Sequence, residues 1–277
     1  MKTKFKWSNV YLVIVFILLY VPILYLIMYS FSDGSRMTNY TGFTLKHYAA
    51  LFADTRMIQI VIDTLLVALL SSLIATIIGT LGAMAINSTS RSIVKNSVLS
   101  LNNILMVSPD VIIGASFLIF FTALKIPLGF GSVLMSHVAF SIPIVVLMVL
   151  PKLKEMGQSM LDAARDLGST NAQIISRIIM PFITPGILAG FFMAFTYSLD
   201  DFAVTFFVTG NGFQTLAVEI YARARQGIDL EINALSGVMF IFALLLVVGY
   251  YFIQTNSQTR KQKHKAAKEA QINETTD

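Results

Sequence analysis

The stretch PKLKEMGQSMLDAARDLGSTNAQIISRIIMPFIT, residues 151–184, joins two apolar segments and is far longer than a simple reversal of the chain requires. Met156 to Leu167 is rich in good helix formers, and Gly168 is placed to supply a left-handed stop. Thr170 and Gln173 have the spacing of a capping box for a second short helix, in which Ile174, Ile175, Ile178 and Ile179 share one face. Pro181 and Pro185 then end that helix and restart the chain as a long apolar one, since proline suits a first helical turn but cannot donate inside a helix. Two readings fit this hairpin. It is a pair of interfacial helices lying on lipid headgroups, or a docking surface where the small Ala163 and Ala164 let a partner come close.

The flanking segments decide the solvent. Hydrophobic residues make up 56% of the 277, only 13% are charged, and the mean hydropathy is +0.73, whereas soluble chains carry about 25% charged residues. This excludes a cytosolic enzyme and a disordered scaffold. Apolar runs cover Val10–Phe31, Ile60–Ile86, Leu99–Leu124, Ser132–Leu150, Pro185–Val208 and Leu235–Ile253, so an all-α integral membrane protein with six transmembrane helices is expected. The first run exceeds the apolar core of a signal peptide, about 7–15 residues, and no small-residue cleavage site follows it. The expected organisation is a first helix and outer loop over 1–59, a transmembrane core over 60–253 that includes the inner loop 151–184, and a basic tail over 254–277.

Charge gives the orientation. With the N-terminus inside, cytoplasmic segments hold Lys2, Lys4, Lys6, Arg91, Lys95, Lys152, Lys154, Arg165, Arg177, Arg260, Lys261, Lys263, Lys265 and Lys268. Outer loops hold only Arg36, Lys46, Arg56, Lys125, Arg223 and Arg225. The excess inside puts both termini in the cytoplasm. It also reads the net charge of +5 as a topology and anionic-lipid signal, with no nucleic-acid partner.

Several chemistries find no residues. There is no Cys, and His47, His137 and His264 are scattered, so no metal site is expected. No G-x-x-x-x-G-K-[ST] occurs, so the chain has no P-loop for ATP; no H-E-x-x-H helix or G-x-S-x-G elbow points to hydrolysis. The expectation is a chain with no catalytic residues.

Acids inside apolar runs need a reason, because an ionisable group at a helix centre costs about 2.5–3.5 kcal/mol on insertion scales. Asp110 lies beside Pro109 in the third run, and Asp200 and Asp201 lie about 22 Å along the fifth, counting 1.5 Å per residue from Pro185. Asp110 should then sit nearer the inside and the pair nearer the outside. No Lys or Arg in the runs offers itself as partner. Asp110, Asp200, Asp201, Tyr197 and Phe202 are therefore the candidate lining of a cation pathway, with the aromatic rings adding cation–π faces. Adjacent helical residues point about 100° apart, so at most one of Asp200 and Asp201 faces the pathway squarely. The alternative is structural hydrogen bonding between helices, for instance to Ser108 or Ser198. Glu219 is a candidate for the outer entrance, or a solvated charge.

The run Asp162-Ala163-Ala164-Arg165-Asp166-Leu167-Gly168, followed by Ile178 and Met180-Pro181, resembles the EAA loop of ABC importer permeases. That loop has an acidic-Ala-Ala start, a Gly four residues after the second Ala, and an Ile-x-Leu-Pro ending; Asp162 stands here for the usual Glu and Met180 for the usual Leu. Ser108-Pro109-Asp110, Ser198-Leu199-Asp200-Asp201-Phe202, Phe207-Val208-Thr209-Gly210 and Glu231-Ile232-Asn233-Ala234-Leu235 look like the permeases of spermidine/putrescine importers. The resemblance implies a type I ABC importer permease (MetI-like) fold in a bacterial plasma (inner) membrane. It implies that Asp162, Ala163, Ala164, Asp166, Leu167, Gly168, Ile178 and Pro181 couple to an ATPase. It further implies a second permease, two ATPase subunits, an extracytoplasmic polyamine-binding protein, and no cofactor on this chain, with ATP and Mg held by the ATPase. Two alternatives stay open: the same machine with a different small solute, and a proton-coupled secondary transporter that uses the intramembrane acids.

Overall fold

A computed structural model of the chain describes residues 7–245, except 35, 36, 38 and 228, together with residue 248. The basic residues Lys2, Lys4, Lys6 and Arg36, the tail over 254–277 and the end of the expected sixth span lie outside the described residues. The chain divides into two compact units, Met1–Asp54 with Ala224–Asp277, and Thr55–Arg223.

In the first unit, the helix α1 (Trp7–Ser30) carries Pro22 in its interior and leaves most of its described apolar side chains exposed. That is what a helix solvated by lipid requires. Its C-terminal end is tied to the short helix α2 (Lys46–Ala53), where Ser30 Oγ lies 2.8 Å from Tyr48 Oη and the His47 ring meets the Ser32 carbonyl at 3.0 Å.

The second unit is a helical bundle. It begins with α3 (Thr55–Ser88), at 34 residues about 51 Å long, well over the hydrocarbon thickness. The helices α4 (Ser92–Val107) and α5 (Asp110–Ala123) follow where a single third span is expected over Leu99–Leu124, and the two are bent by 106°. Pro109 is the cause, because its ring disfavours helical backbone in the residue before it, and Ser108 is extended at φ −69°, ψ 139°.

The central helix is α6 (Phe130–Glu155), the most buried of the long helices. Then come α7 (Gln158–Asp166), α8 (Asn171–Ile174) and α9 (Met180–Asp200). Gly168 takes the left-handed backbone expected of it, at φ 77°, and the Thr170–Gln173 capping box forms in both directions. The expected break at Pro181 does not form. Residues Ile175–Ile179 make a π-helical turn, and the helix runs on from Asn171 to Asp200. Widening the turn relieves the clash and the missing donor of a proline in an α-helical register, so Pro181 sits inside a continuous helix.

The bundle core is made by α3, α6 and α9. Ala75, Ala83 and Ile86 meet Val145, Val146, Val149, Leu150 and Leu153, with Ile183 and Ala194 closing the cluster. Glycine sets the approach, since a Cβ on Gly79 would fall 2.7 Å from Val145 Cβ, and one on Gly190 would fall 3.2 Å from Val145 Cα. Small residues at such crossings let helix backbones pack closely where the surrounding solvent is itself apolar.

The fifth span, expected over Pro185–Val208, is also broken. After α9 the chain turns at Asp201 and Phe202 into α10 (Ala203–Val208), which packs on α5, and α11 (Leu216–Gln226) follows. Returning to the first unit, the last described helix is α12 (Leu230–Leu245). Its Gly237 lies near Tyr48 and Ile27, and its Phe240 meets Tyr20 of α1 edge to face. Four described helices are long and apolar enough to cross a membrane, five if α4 and α5 count as one.

Candidate functional site

Two interruptions of helix meet at one place. The start of α5 follows the Pro109 bend, the corner at Asp201 and Phe202 separates α9 from α10, and between them lies a cavity of about 350 Å³. Asp110, Met193, Thr196, Tyr197, Asp200, Asp201, Phe202 and Ala203 line it. All five pathway residues expected from sequence are among them.

Asp110 and the pair, expected at different depths, line one cavity. Tyr197 Oη donates to Asp110 Oδ1 at 3.0 Å, so a residue one turn before Asp200 touches Asp110 directly. The turn of 106° between α4 and α5 accompanies this contact at the start of α5. Asp110 opens α5, where its negative charge faces the positive end of the helix dipole.

Asp200 and Asp201 have different surroundings. Asp200 is exposed in the cavity, while the Asp201 side chain is 3% exposed. Asp201 accepts from the N–H groups of Val204 (3.3 Å) and Thr205 (2.8 Å) and from the Thr205 hydroxyl (2.8 Å). Its carboxylate thus satisfies the free donors of the first turn of α10, as a capping side chain does. The hydrogen bonds proposed from sequence between these acids and Ser108 or Ser198 are not the ones formed: Ser108 Oγ donates to the Ile104 carbonyl, and Ser198 bonds to Ser71 and His137.

His137 is the residue that sequence reasoning missed. It is fully buried on α6, with Nε2 3.4 Å from Asp201 Oδ2, so the acid has a partner of basic type after all. The signal was present, because an ionisable residue within an apolar run is a functional candidate by itself. Considering histidines only as metal ligands hid it. Among the described residues no cluster of three potential metal ligands occurs.

The aromatic lining is braced from behind. Phe140 packs edge to face on Tyr197 with ring centroids 5.3 Å apart, and Phe202 lies against Tyr221 at 4.3 Å. Glu219, the expected outer-entrance residue, is buried, held by Arg56 at 3.2 Å and Arg223 at 2.8 Å. It ties α11 to the first turn of α3, beside a second cavity lined by Arg56, Gln59, Ile60, Asp63, Gly212 and Gln214.

The hairpin residues lie apart from this cavity. Asp162, Ala163, Asp166, Leu167, Gly168 and Pro181 are exposed, Ile178 is half-buried, and Ala164 is buried against its own chain. Leu167 is 86% exposed, which is unusual for a large apolar side chain at the tip of a polar hairpin. The Asp162–Arg165 pair, 3.0 Å apart, is open to solvent and contributes little to stability.

Residues 75–263 match the family of binding-protein-dependent transport system inner membrane components. The chain is 37% identical over 235 residues to the spermidine/putrescine transport system permease protein PotC of Escherichia coli (strain K12), covering 85% of this chain and 89% of that one. It is 32% identical over 263 residues to the putrescine transport system permease protein PotI of the same organism, covering 93% of each. Among solved structures it resembles a bacterial ABC transporter involved in the import of the acidic polysaccharide alginate, with a TM-score of 0.69 and 18% identity over 88% of this chain and 92% of that one. That likeness is one of fold.

Proposed function

The chain belongs to the binding-protein-dependent transport system inner membrane components, as an all-helical, MetI-like ABC importer permease of the PotC/PotI type, and from that premise we propose that it forms a pathway for polyamines together with a second permease. The single observation that carries the cargo is the cavity at the two helix breaks. It presents the carboxylates of Asp110 and Asp200 beside the rings of Tyr197 and Phe202, and among the described residues no Lys or Arg lines it. A chain of methylenes bearing ammonium groups supplies the missing positive charge, and its apolar stem suits Met193 and the aromatic faces. Asp201, already supplied with donors, holds the corner and leaves Asp200 to meet the cargo.

The hairpin around α7 is the coupling element in this reading. Leu167 and the exposed Asp162, Ala163 and Asp166 enter a cleft of an ATPase subunit, while Gly168, Ile178 and Pro181 shape the turn and its join to α9. Two ATPase subunits, one under each permease, hold the ATP and Mg. This chain is a transport component, and no cofactor is assigned to it. We orient the chain with both termini in the cytoplasm of a bacterium, in its inner membrane, and complete the six spans with the described part of α12 and the residues after it. The Glu219 region then faces outward, where an extracytoplasmic polyamine-binding protein docks, with Glu219 as a buried brace of the entrance. The proton-coupled secondary transporter is set aside, because the family depends on a binding protein.

The test is uptake of labelled spermidine and putrescine by the complete transporter carrying Asp110→Asn or Asp200→Asn. Loss of uptake with the permease still inserted supports the cargo. Normal polyamine uptake in both variants would refute it and bring forward a different small solute.

A further inference from the structure

Behind the cavity lies a polar network with almost no access to solvent. Ser71 of α3, His137 of α6, Ser198 of α9 and Thr205 of α10 are at most 3% exposed, and the Asp201 side chain joins them. His137 Nδ1 lies 2.6 Å from Ser198 Oγ, which lies 3.0 Å from Ser71 Oγ; His137 Nε2 lies 2.8 Å from Thr205 Oγ1. The Thr205 hydroxyl has one proton and gives it to Asp201, so it accepts from His137, which places a proton on Nε2. The ring therefore bridges the last turn of α9 and the first turn of α10, on either side of the Asp201–Phe202 corner.

We infer that His137 is a positioning residue: it clamps this corner from α6 and so aims Asp200 into the cavity and sets Tyr197 against Asp110. The inference rests on the polyamine-pathway reading for its consequence, though not for its geometry. A second contact supports it. The His137 ring packs on Phe140 at 4.9 Å, and Phe140 packs on Tyr197, so the histidine backs both the corner and the tyrosine that donates to Asp110. A buried polar group without partners is costly, and here every polar atom of the ring is engaged. Replacement by an apolar residue leaves Ser198 and the Asp201–Thr205 pair to reorganise on either side of the corner. The charged groups facing the site from the packed elements are Asp110 from α5, Asp200 at the end of α9 and Asp201 at the corner.

The experiment reads the corner without depending on the cargo. The chain has no cysteine, so Asp200→Cys gives a unique thiol on this subunit in the assembled transporter. Its reaction is followed with a cationic and an anionic methanethiosulfonate reagent. A thiol aimed beside Asp110 favours the cationic reagent. His137→Ala and Thr205→Val should each lower that preference by about threefold or more, as the thiol leaves the field of the carboxylate. His137→Gln, which keeps a donor near Nε2, should retain the preference, and His137→Asn, which reaches only the Ser198 side, should not. Thr205→Val keeps side-chain shape and answers by itself if His137→Ala is not assembled. An unchanged preference in inserted His137→Ala or Thr205→Val protein overturns the clamp. In parallel, polyamine uptake is measured in the same variants with Asp200 intact. A fallen preference with normal uptake upholds the clamp and removes the cargo reading; an unchanged preference with lost uptake overturns the clamp alone.

Discussion

Asp200 and Asp201 are neighbours of one residue type, yet their replacement should have opposite consequences. Asp201→Ala removes the acceptor for two backbone N–H groups of α10 and for the Thr205 hydroxyl, and takes away the carboxylate that lies 3.4 Å from the buried His137 Nε2. Loss of a capping side chain costs about 1 kcal/mol. Interhelical polar contacts in membranes average about 0.6 kcal/mol and reach about 1.7 kcal/mol. With the Thr205 and His137 interactions taken at that scale, Asp201→Ala should destabilise the permease by about 2–4 kcal/mol. Asp200→Ala, exposed and at the end of its helix, should change stability by less than about 0.5 kcal/mol. The assay is the fraction of the purified complete transporter that stays folded as denaturant or temperature rises, alongside uptake per inserted permease. The expected pattern is an unstable Asp201 variant, and a stable Asp200 variant that is defective in uptake. Equal stability of the two variants would refute the assignment of Asp201 to the corner, since no other described interaction explains why the chain buries that carboxylate.

Neutralising a cavity carboxylate should weaken cargo binding by the attraction that the carboxylate exerts on an ammonium group. At about 4 Å this attraction lies between about 1 and 4 kcal/mol for effective dielectric constants of about 80 and 20, and part of it is offset by desolvation. Asp110→Asn and Asp200→Asn should each lower uptake at limiting cargo by roughly 5- to 30-fold, or about 1–2 kcal/mol, with Tyr197→Phe less severe. Gly168→Val places a branched side chain at φ 77°, at a cost of about 1–2 kcal/mol; the permease should insert normally but lose uptake and cargo-stimulated ATP hydrolysis, measured in proteoliposomes. Gly79→Leu should abolish assembly, because its Cβ would already lie 2.7 Å from Val145 Cβ, and even Gly79→Ala should lower the unfolding midpoint, at an overpacking cost of about 1–3 kcal/mol.

Features that depend on a few neighbouring residues were legible in the chain before folding. Composition and the length of the apolar runs determined the membrane as solvent and the helix as the element, since a lipid-exposed backbone must satisfy itself. The left-handed Gly168 and the Thr170–Gln173 capping box were readable for the same reason, as each closes within one turn. So were the acids around the cavity, though not Met193, Thr196 or Ala203, because a carboxylate in an apolar run has to be explained wherever it ends up. Tertiary structure alone decided what those carboxylates meet. Pro109 in the third run does not disclose that the chain turns through 106° and that Asp110 meets Tyr197, 87 residues away. Pro181 announces a break that does not occur, because a π turn absorbs it. His137 finds Ser198 across 61 residues and Thr205 across 68, pairings set by how α6, α9 and α10 pack. Local sequence controls local dihedrals; which of two adjacent aspartates faces a cavity depends on the helix that lies behind the other.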